Sequence, residues 1–260
     1  MPIPRTTKTE AIVLRTRDFS EADCLLILLT PAEGKVRAVV KGARKPKSKL
    51  GGHLEPFTHV AVELAQGRSL PIVTGAQILH SFLPLREDLV KLGQAAYMCE
   101  LTDAFAPEGE ENRALFDLLL SSLACLADEG ERVLHYFELR LLGLMGYGPE
   151  MRVCPCCRAP LASPGPFSTS LGGGLCPACS LKEPGALTLS PAAFQALRYL
   201  QTAGLAAALR VRLEPSVMRE LGQVLGGYTR YILEKKPRSA TFLEQMDDLT
   251  GPLQGEEKGL

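Results

Sequence analysis

The chain has 260 residues, 46% of them hydrophobic and 22% charged, with no tryptophan and 29 basic side chains against 29 acidic ones. That content supports one large domain or two to three small ones with ordinary cores and excludes disorder throughout. No run approaches the roughly 18 consecutive apolar residues of a membrane span, and MPIPRTTKTE lacks a signal peptide's apolar stretch, so a soluble, cytoplasmic protein without membrane attachment is expected. The balanced total hides an asymmetry: residues 1–80 hold 12 basic and 7 acidic side chains, leaving 17 against 22 for the rest. One end is thus suited to meet a polyanion.

The first 80 residues read as five short β segments, EAIVLRT, CLLILLT, VRAVVKG, HVAVELA and PIVTGAQIL, with turn chemistry in PAEGK and AQGRS between them. Five strands at this spacing suit a small closed barrel of the OB type. LLILL is apolar on both faces, so another domain should cover part of the barrel. Between Glu33 and Glu55 no acidic residue occurs, while Lys35, Arg37, Lys41, Arg44, Lys45, Lys47 and Lys49 all fall in this interval. The even spacing of Lys35, Arg37 and Lys41 predicts that they leave one face of the third strand, with the others following in a loop stiffened by Pro46. A positive barrel face beside a positive loop is a groove for a nucleic-acid backbone, and the competing reading is an ordinary solvated surface. Phe19 and Phe57 are the only phenyl, phenol or indole rings in this part, which favours phosphate contact over base stacking and hence weak sequence preference.

From Leu83 the period becomes helical. Leu85, Leu89, Leu92, Ala96 and Cys99 form one stripe, Leu115, Leu119, Leu123 and Leu126 a second, and Val133, Phe137, Leu141 and Leu144 a third. Short polar links, APEGEEN and DEG, join them into a bundle. Ser190-Pro191 and Pro215 open two later helices, the second running to about Lys236. The expected organisation is α+β: a barrel over 1–80, a helical bundle over 81–150, an inserted cysteine knuckle over 151–183, returning helices over 184–236 and an acidic, mobile tail over 237–260.

The knuckle carries the most specific local signal. Cys154 and Cys157, then Cys176 and Cys179, form two C-x-x-C pairs whose separation matches a structural zinc site, because each pair turns tightly enough to aim two thiolates at one tetrahedral ion. Four thiolates leave no open position, so one zinc per chain should hold structure and perform no chemistry. Cys156 competes for the same ion; adjacent residues rarely face one metal, so the spacing favours Cys154 and Cys157. Cys24, Cys99 and Cys125 read as small buried hydrophobes.

No catalytic constellation is readable. His53-Leu54-Glu55 imitates the H-x-E of zinc deaminases, but no P-C-x-x-C follows, since Ala159 stands where the second cysteine would be. Asp18, Glu21 and Asp23 sit at a turn, and the four histidines are scattered. The expectation is a protein that is not an enzyme.

EAIVLRTRDFSEADCLLILLTPAEGKVRAVVKGARKPKSKLGGHLEPF resembles the amino-terminal barrel of the RecO family, and FELRLLGLMGYGP leading into a C-x-x-C pair resembles the helix before that family's zinc knuckle. The resemblance covers about residues 8 to 236, with KGARKPKS and LLGLMGYGPEMRVC its most specific parts. It implies a non-enzymatic DNA repair and recombination mediator that binds single- and double-stranded DNA and anneals complementary strands. It also implies work with RecR to load RecA on DNA coated by single-strand-binding protein, whose acidic, hydrophobic-ended tail the helical part would bind. Arg132 and Arg140, basic residues beside apolar ones, offer a rim for that tail. The alternative from another class is a barrel and zinc-ribbon transcription or translation factor that binds RNA.

Overall fold

The structure, a computed structural model, describes residues 6–45, 50–162 and 164–250, with side chains through residue 246. β1 (Thr6–Asp18), β2 (Cys24–Thr30), β3 (Gly34–Val40), β4 (His59–Ala65) and β5 (Ile72–His80) close into a barrel in the order β1-β2-β3-β5-β4. All neighbours are antiparallel except β3 and β5, which run parallel and pair at Val39 and Ile72. The period-two pattern sets the interior: Val36, Ala38 and Val40 of β3 join Ala11, Val13, Leu26, Leu28, Val60 and Val62 in a barrel core. The opposite faces of β1 and β2, through Ile12, Leu14, Ile27 and Leu29, join the core of the helices instead. The doubly apolar LLILL therefore lies between two cores, as its composition requires.

Those helices are α1 (Leu89–Phe105), α2 (Arg113–Glu129), α3 (Glu131–Leu144), the single turn α4 (Pro177–Ser180), α5 (Pro191–Thr202), the single turn α6 (Leu205–Ala208), α7 (Pro215–Leu233) and α8 (Arg238–Thr250). Side chains of Asp88, Asn112 and Ser190 accept backbone N–H groups at the starts of α1, α2 and α5. The predicted stripe of α2 is buried entire. That of α1 is corrected: Leu89 is exposed, while Ala95, Met98, Leu101 and Thr102 are buried along with Cys99. α1 touches β1, α2, α3 and α8 at once, so a central helix hides several faces where one stripe was predicted. Leu144, at the end of the α3 stripe, is likewise exposed.

The reading of 237–260 as a mobile tail is also corrected, as far as residue 250. α8 lies along α1, with Phe242 and Leu243 set so close to Gly93 that a Cβ there would come within 2.8 Å of the Phe242 ring. Glu100 of α1 accepts the N–H groups of Arg238 (3.0 Å) and Ser239 (2.9 Å) and the Ser239 hydroxyl (2.5 Å), satisfying the open first turn of α8. Residues 251–260 lie outside the described residues.

A short hairpin, β6 (Phe167–Ser168) and β7 (Gly173–Gly174), belongs to the cysteine segment. Gly173 packs on the Glu150 carbonyl, where a Cβ would meet the oxygen at 2.3 Å, so the LGGGL glycines serve a close backbone approach in a small ribbon.

Candidate functional site

The basic stretch is divided by the fold. Lys35 and Arg37 do share the outer face of β3, but that face looks onto the helices. Lys35 donates to the backbone oxygen of Asp103 (2.5 Å) and pairs with its carboxylate (3.5 Å), which also holds Arg15 (2.8 Å); the Lys35 side chain is only 12% exposed. Arg37 pairs with Glu108 at 2.8 Å, both about half exposed. The cause is the α1–α2 connection, which lies on the start of β3: Gly109 N–H donates to the Lys35 carbonyl (3.0 Å), and Gly34 has a left-handed φ of 58° where any Cβ would strike the Glu110 carbonyl. The expectation of a free cationic face along β3 is thus corrected: Lys35 is a bridge between domains, and Arg37 is partnered.

The loop behaves differently. Lys41 and Lys45 are exposed and have no acidic partner among the described residues. Arg44 is exposed but pairs with Asp18 (3.2 Å), and its N–H donates to the Ala22 carbonyl, so the loop is held against the β1–β2 turn. Asp23 reinforces this by accepting the Gly42 N–H at 2.8 Å, which gives two of the three acids noted in that turn a structural task. Lys47 and Lys49 lie outside the described residues.

At the cysteine segment the Sγ atoms of Cys154, Cys157, Cys176 and Cys179 all lie within 4.8 Å of one another, with Cys157 and Cys176 3.6 Å apart. Tetrahedral bonds of about 2.3 Å to zinc require sulfurs about 3.8 Å apart, so the set fits the ion with small adjustments. The backbone is shaped for it. Arg158, at a left-handed φ of 64°, donates its N–H to the Cys154 carbonyl, and Cys154 donates to Ala159, which folds the first pair into a tight knuckle. Cys176 caps the start of α4, whose single turn brings Cys179 round. Burial opposes a thiolate at Cys154, but N–H groups of Cys176, Cys157 and Cys156 directed at it prevail and lower its pKa to about 6. Cys156 itself is exposed and outside the four. Phe167, Leu175 and Met151 carry the module into the main core, with Phe167 edge-on to Tyr228 of α7 at 5.5 Å.

Comparison with known sequences follows the same two-part division. The family description "Recombination protein O N terminal" matches residues 3–82, and "Recombination protein O C terminal" matches residues 86–241. "DNA repair protein RecO" of Roseiflexus sp. (strain RS-1) is 42% identical over 246 residues, covering 93% of this chain and 86% of its own. The proteins of that name from Dehalococcoides mccartyi (strain ATCC BAA-2266 / KCTC 15142 / 195) and Symbiobacterium thermophilum are 39% and 37% identical, spanning 95% and 91% of this chain and 98% and 96% of theirs. The chain belongs to the RecO family. The break between the two RecO matches falls where β5 ends and a single 3-10 turn, Leu83–Leu85, leads to α1.

Other residues singled out in the sequence have structural occupations. Arg132 donates to the Leu209 carbonyl (3.1 Å) and pairs with Glu129, and Arg140 donates to the Gln201 carbonyl, so neither guanidinium is a free rim for a peptide tail. His53 contacts the Ala76 carbonyl at the barrel, in a different domain from the cysteines whose zinc a deaminase would use. Burial pushes the Cys99 thiol up to about 12, in keeping with a packing role. Sequence reasoning missed Asp103, which shares the last turns of α1 with Glu100 and carries no local signal of its distant partners. No helix among the described residues is long and apolar enough to cross a membrane.

Proposed function

We propose that this chain is a non-enzymatic DNA repair and recombination factor. It binds single- and double-stranded DNA through an OB-type barrel, anneals complementary strands and, with RecR, helps load RecA onto DNA coated by single-strand-binding protein. Membership of the RecO family supports the class of function, and the barrel's strand order, closing through parallel β3 and β5, supports the OB assignment. The observation that carries DNA contact in this chain is the pair Lys41 and Lys45, exposed and unpartnered on a loop pinned to the barrel end by Arg44 and Asp18.

Two strands repel through their phosphates. A protein that neutralises several on each removes part of that repulsion and raises the strands' effective concentration for pairing. The chain's residues supply charge and position, and no bond need be made or broken. Zinc, bound by Cys154, Cys157, Cys176 and Cys179, would fix the knuckle against α5 and α7 and add no open coordination site.

The test is annealing of labelled complementary oligonucleotides by the full chain, with and without single-strand-binding protein. Acceleration that Lys41→Ala with Lys45→Ala reduces supports the reading. Cleavage products would overturn it in favour of an enzyme. Preference for one folded RNA over DNA would favour the transcription or translation factor.

A further inference from the structure

Away from the loop, a cleft of about 810 Å³ opens between the barrel and the helices. Its barrel wall is the end of β1, where a register shift between Val13 and Arg15 re-aims the strand so that Arg15 and Arg17 both line the cleft. Its other wall is the turn joining α7 to α8. Glu234 ends α7 in a left-handed conformation, φ 54°, and Lys235, Lys236 and Arg238 follow around buried Pro237. Five cations from two distant parts of the sequence therefore face one another, with Glu100 the single carboxylate in the lining.

The local charge is far from cancelled. Arg15 is taken by Asp103, and Lys236 by Glu244. Glu100 is already occupied by the first turn of α8. Its burial would raise its pKa, but the hydrogen bonds from Ser239 and Arg238 and the charge of Arg15 outweigh that and hold it below the usual carboxylate range. The side chains of Arg17, Lys235 and Arg238 belong to exposed residues and have no carboxylate partner among the described residues, although the backbone N–H of Arg238 is bonded to Glu100. Three unpaired cations converging on an open cleft repel one another, and an anion with repeating charge relieves all three at once.

Beyond Lys235 and Lys236 the surface changes character. These two lysines also line an adjoining hollow of about 880 Å³ with Arg230, Glu234, Tyr147 and Tyr231, the two tyrosines being 48% and 54% exposed. Cations that follow a backbone, flanked by open aromatic faces, are what a single strand of nucleic acid uses, because phosphates and bases are both then served. Tyr147 already leans on Phe105, ring centroids 5.8 Å apart, so the open face is chiefly that of Tyr231, which an acidic peptide would leave unused while taking the cations.

We propose that the β1/α7–α8 cleft is a second phosphate-binding site, which takes the backbone of a single DNA strand while Tyr231 and Tyr147 offer stacking surface to its bases. It rests on the DNA-binding reading above but is built from different residues, so the two fail separately. It also requires both domains together, since neither β1 nor the α7–α8 turn forms the cleft alone.

The test is binding of a labelled oligothymidylate to the full chain across a salt series. Arg17→Ala, Lys235→Ala and Arg238→Ala combined should flatten the log–log salt dependence by about 2, at about 0.7 per lost phosphate contact. Lys235→Ala alone, an exposed and unpaired position, should flatten it by about 0.7 and serves if the triple variant folds poorly. Tyr231→Ala should weaken binding about tenfold with the slope unchanged, as loss of stacking does. A triple variant that keeps the parent slope, beside a loop variant Lys41→Ala/Lys45→Ala that loses slope, overturns the cleft and leaves the barrel reading intact. Parent slopes in both variants overturn both. An oligoaspartate peptide that binds the parent and is lost in the triple variant, with the DNA slope unmoved, makes the cleft a peptide site and also overturns the proposal.

Discussion

Lys35 and Lys41 lie six positions apart in one acid-free run, yet the fold gives them opposite surroundings. Lys35 sits on the side of β3 that the α1–α2 connection covers, and its ammonium is fixed to Asp103. Lys41 lies just past the strand, beyond the reach of that cover, and stays open to solvent. Residue type and local spacing are alike; what separates them is which side of the barrel a second domain occupies. The cysteines repeat the lesson at closer range, for Cys157 faces the other three ligands while Cys156 beside it faces solvent.

Four outcomes would sharpen or break this contrast. The largest concerns the cysteines: Cys176→Ser should abolish stoichiometric zinc by elemental analysis and destabilise the chain by about 4 kcal/mol or more, whereas Cys156→Ser should do neither. Zinc retained in the first variant, or lost in the second, would reverse the assignment. Next, Asp103→Ala leaves Lys35 and Arg15 facing each other without their shared carboxylate. It should cost about 2–3 kcal/mol in denaturant unfolding.

The third outcome follows from Glu100. Its folded pKa lies below the ordinary 4.5, so it favours the docked state fully above that value and loses the effect as pH falls through the folded value. Protease susceptibility of the α7–α8 turn should therefore rise on acidification below about pH 4.5 in the parent, and a Glu100→Gln variant should lack that step. The smallest effect on stability belongs to the loop. Lys41→Ala with Lys45→Ala should shift the melting curve by no more than about 0.5 kcal/mol while lowering the single-strand salt slope by about 1.4. A stability loss with an unchanged slope would make the loop resemble Lys35 after all.

The parts legible in the sequence are those governed by near neighbours. Alternation sets the strands, C-x-x-C spacing aims the thiolates, and Ser190-Pro191 starts α5, each within a few residues of chain. The closed barrel followed from the spacing of five short strands, and its covering by the helices from LLILL, which could not be satisfied by one core. The fate of Lys35 did not, since Asp103 reaches it from 68 positions away, through a loop that docks only because Gly34 lacks a side chain. α8 was hidden for a similar reason. Its sequence is polar enough to read as solvated, and its docking relies on Phe242, Leu243 and the bare surface of Gly93 on another helix.

The barrel's closure has a consequence for motion. Where the antiparallel pairs run over several residues, β3 and β5 meet at the one rung Val39–Ile72, supported by the Val39 N–H to the Pro71 carbonyl at 2.8 Å. Such a seam has few hydrogen bonds to break before it parts, and it lies directly before the loop that carries Lys41 and Lys45. Amide exchange should accordingly be faster at Val39 than at the paired amides of β1 and β2, the signature expected if the cationic loop hangs from the most easily opened joint of the cylinder.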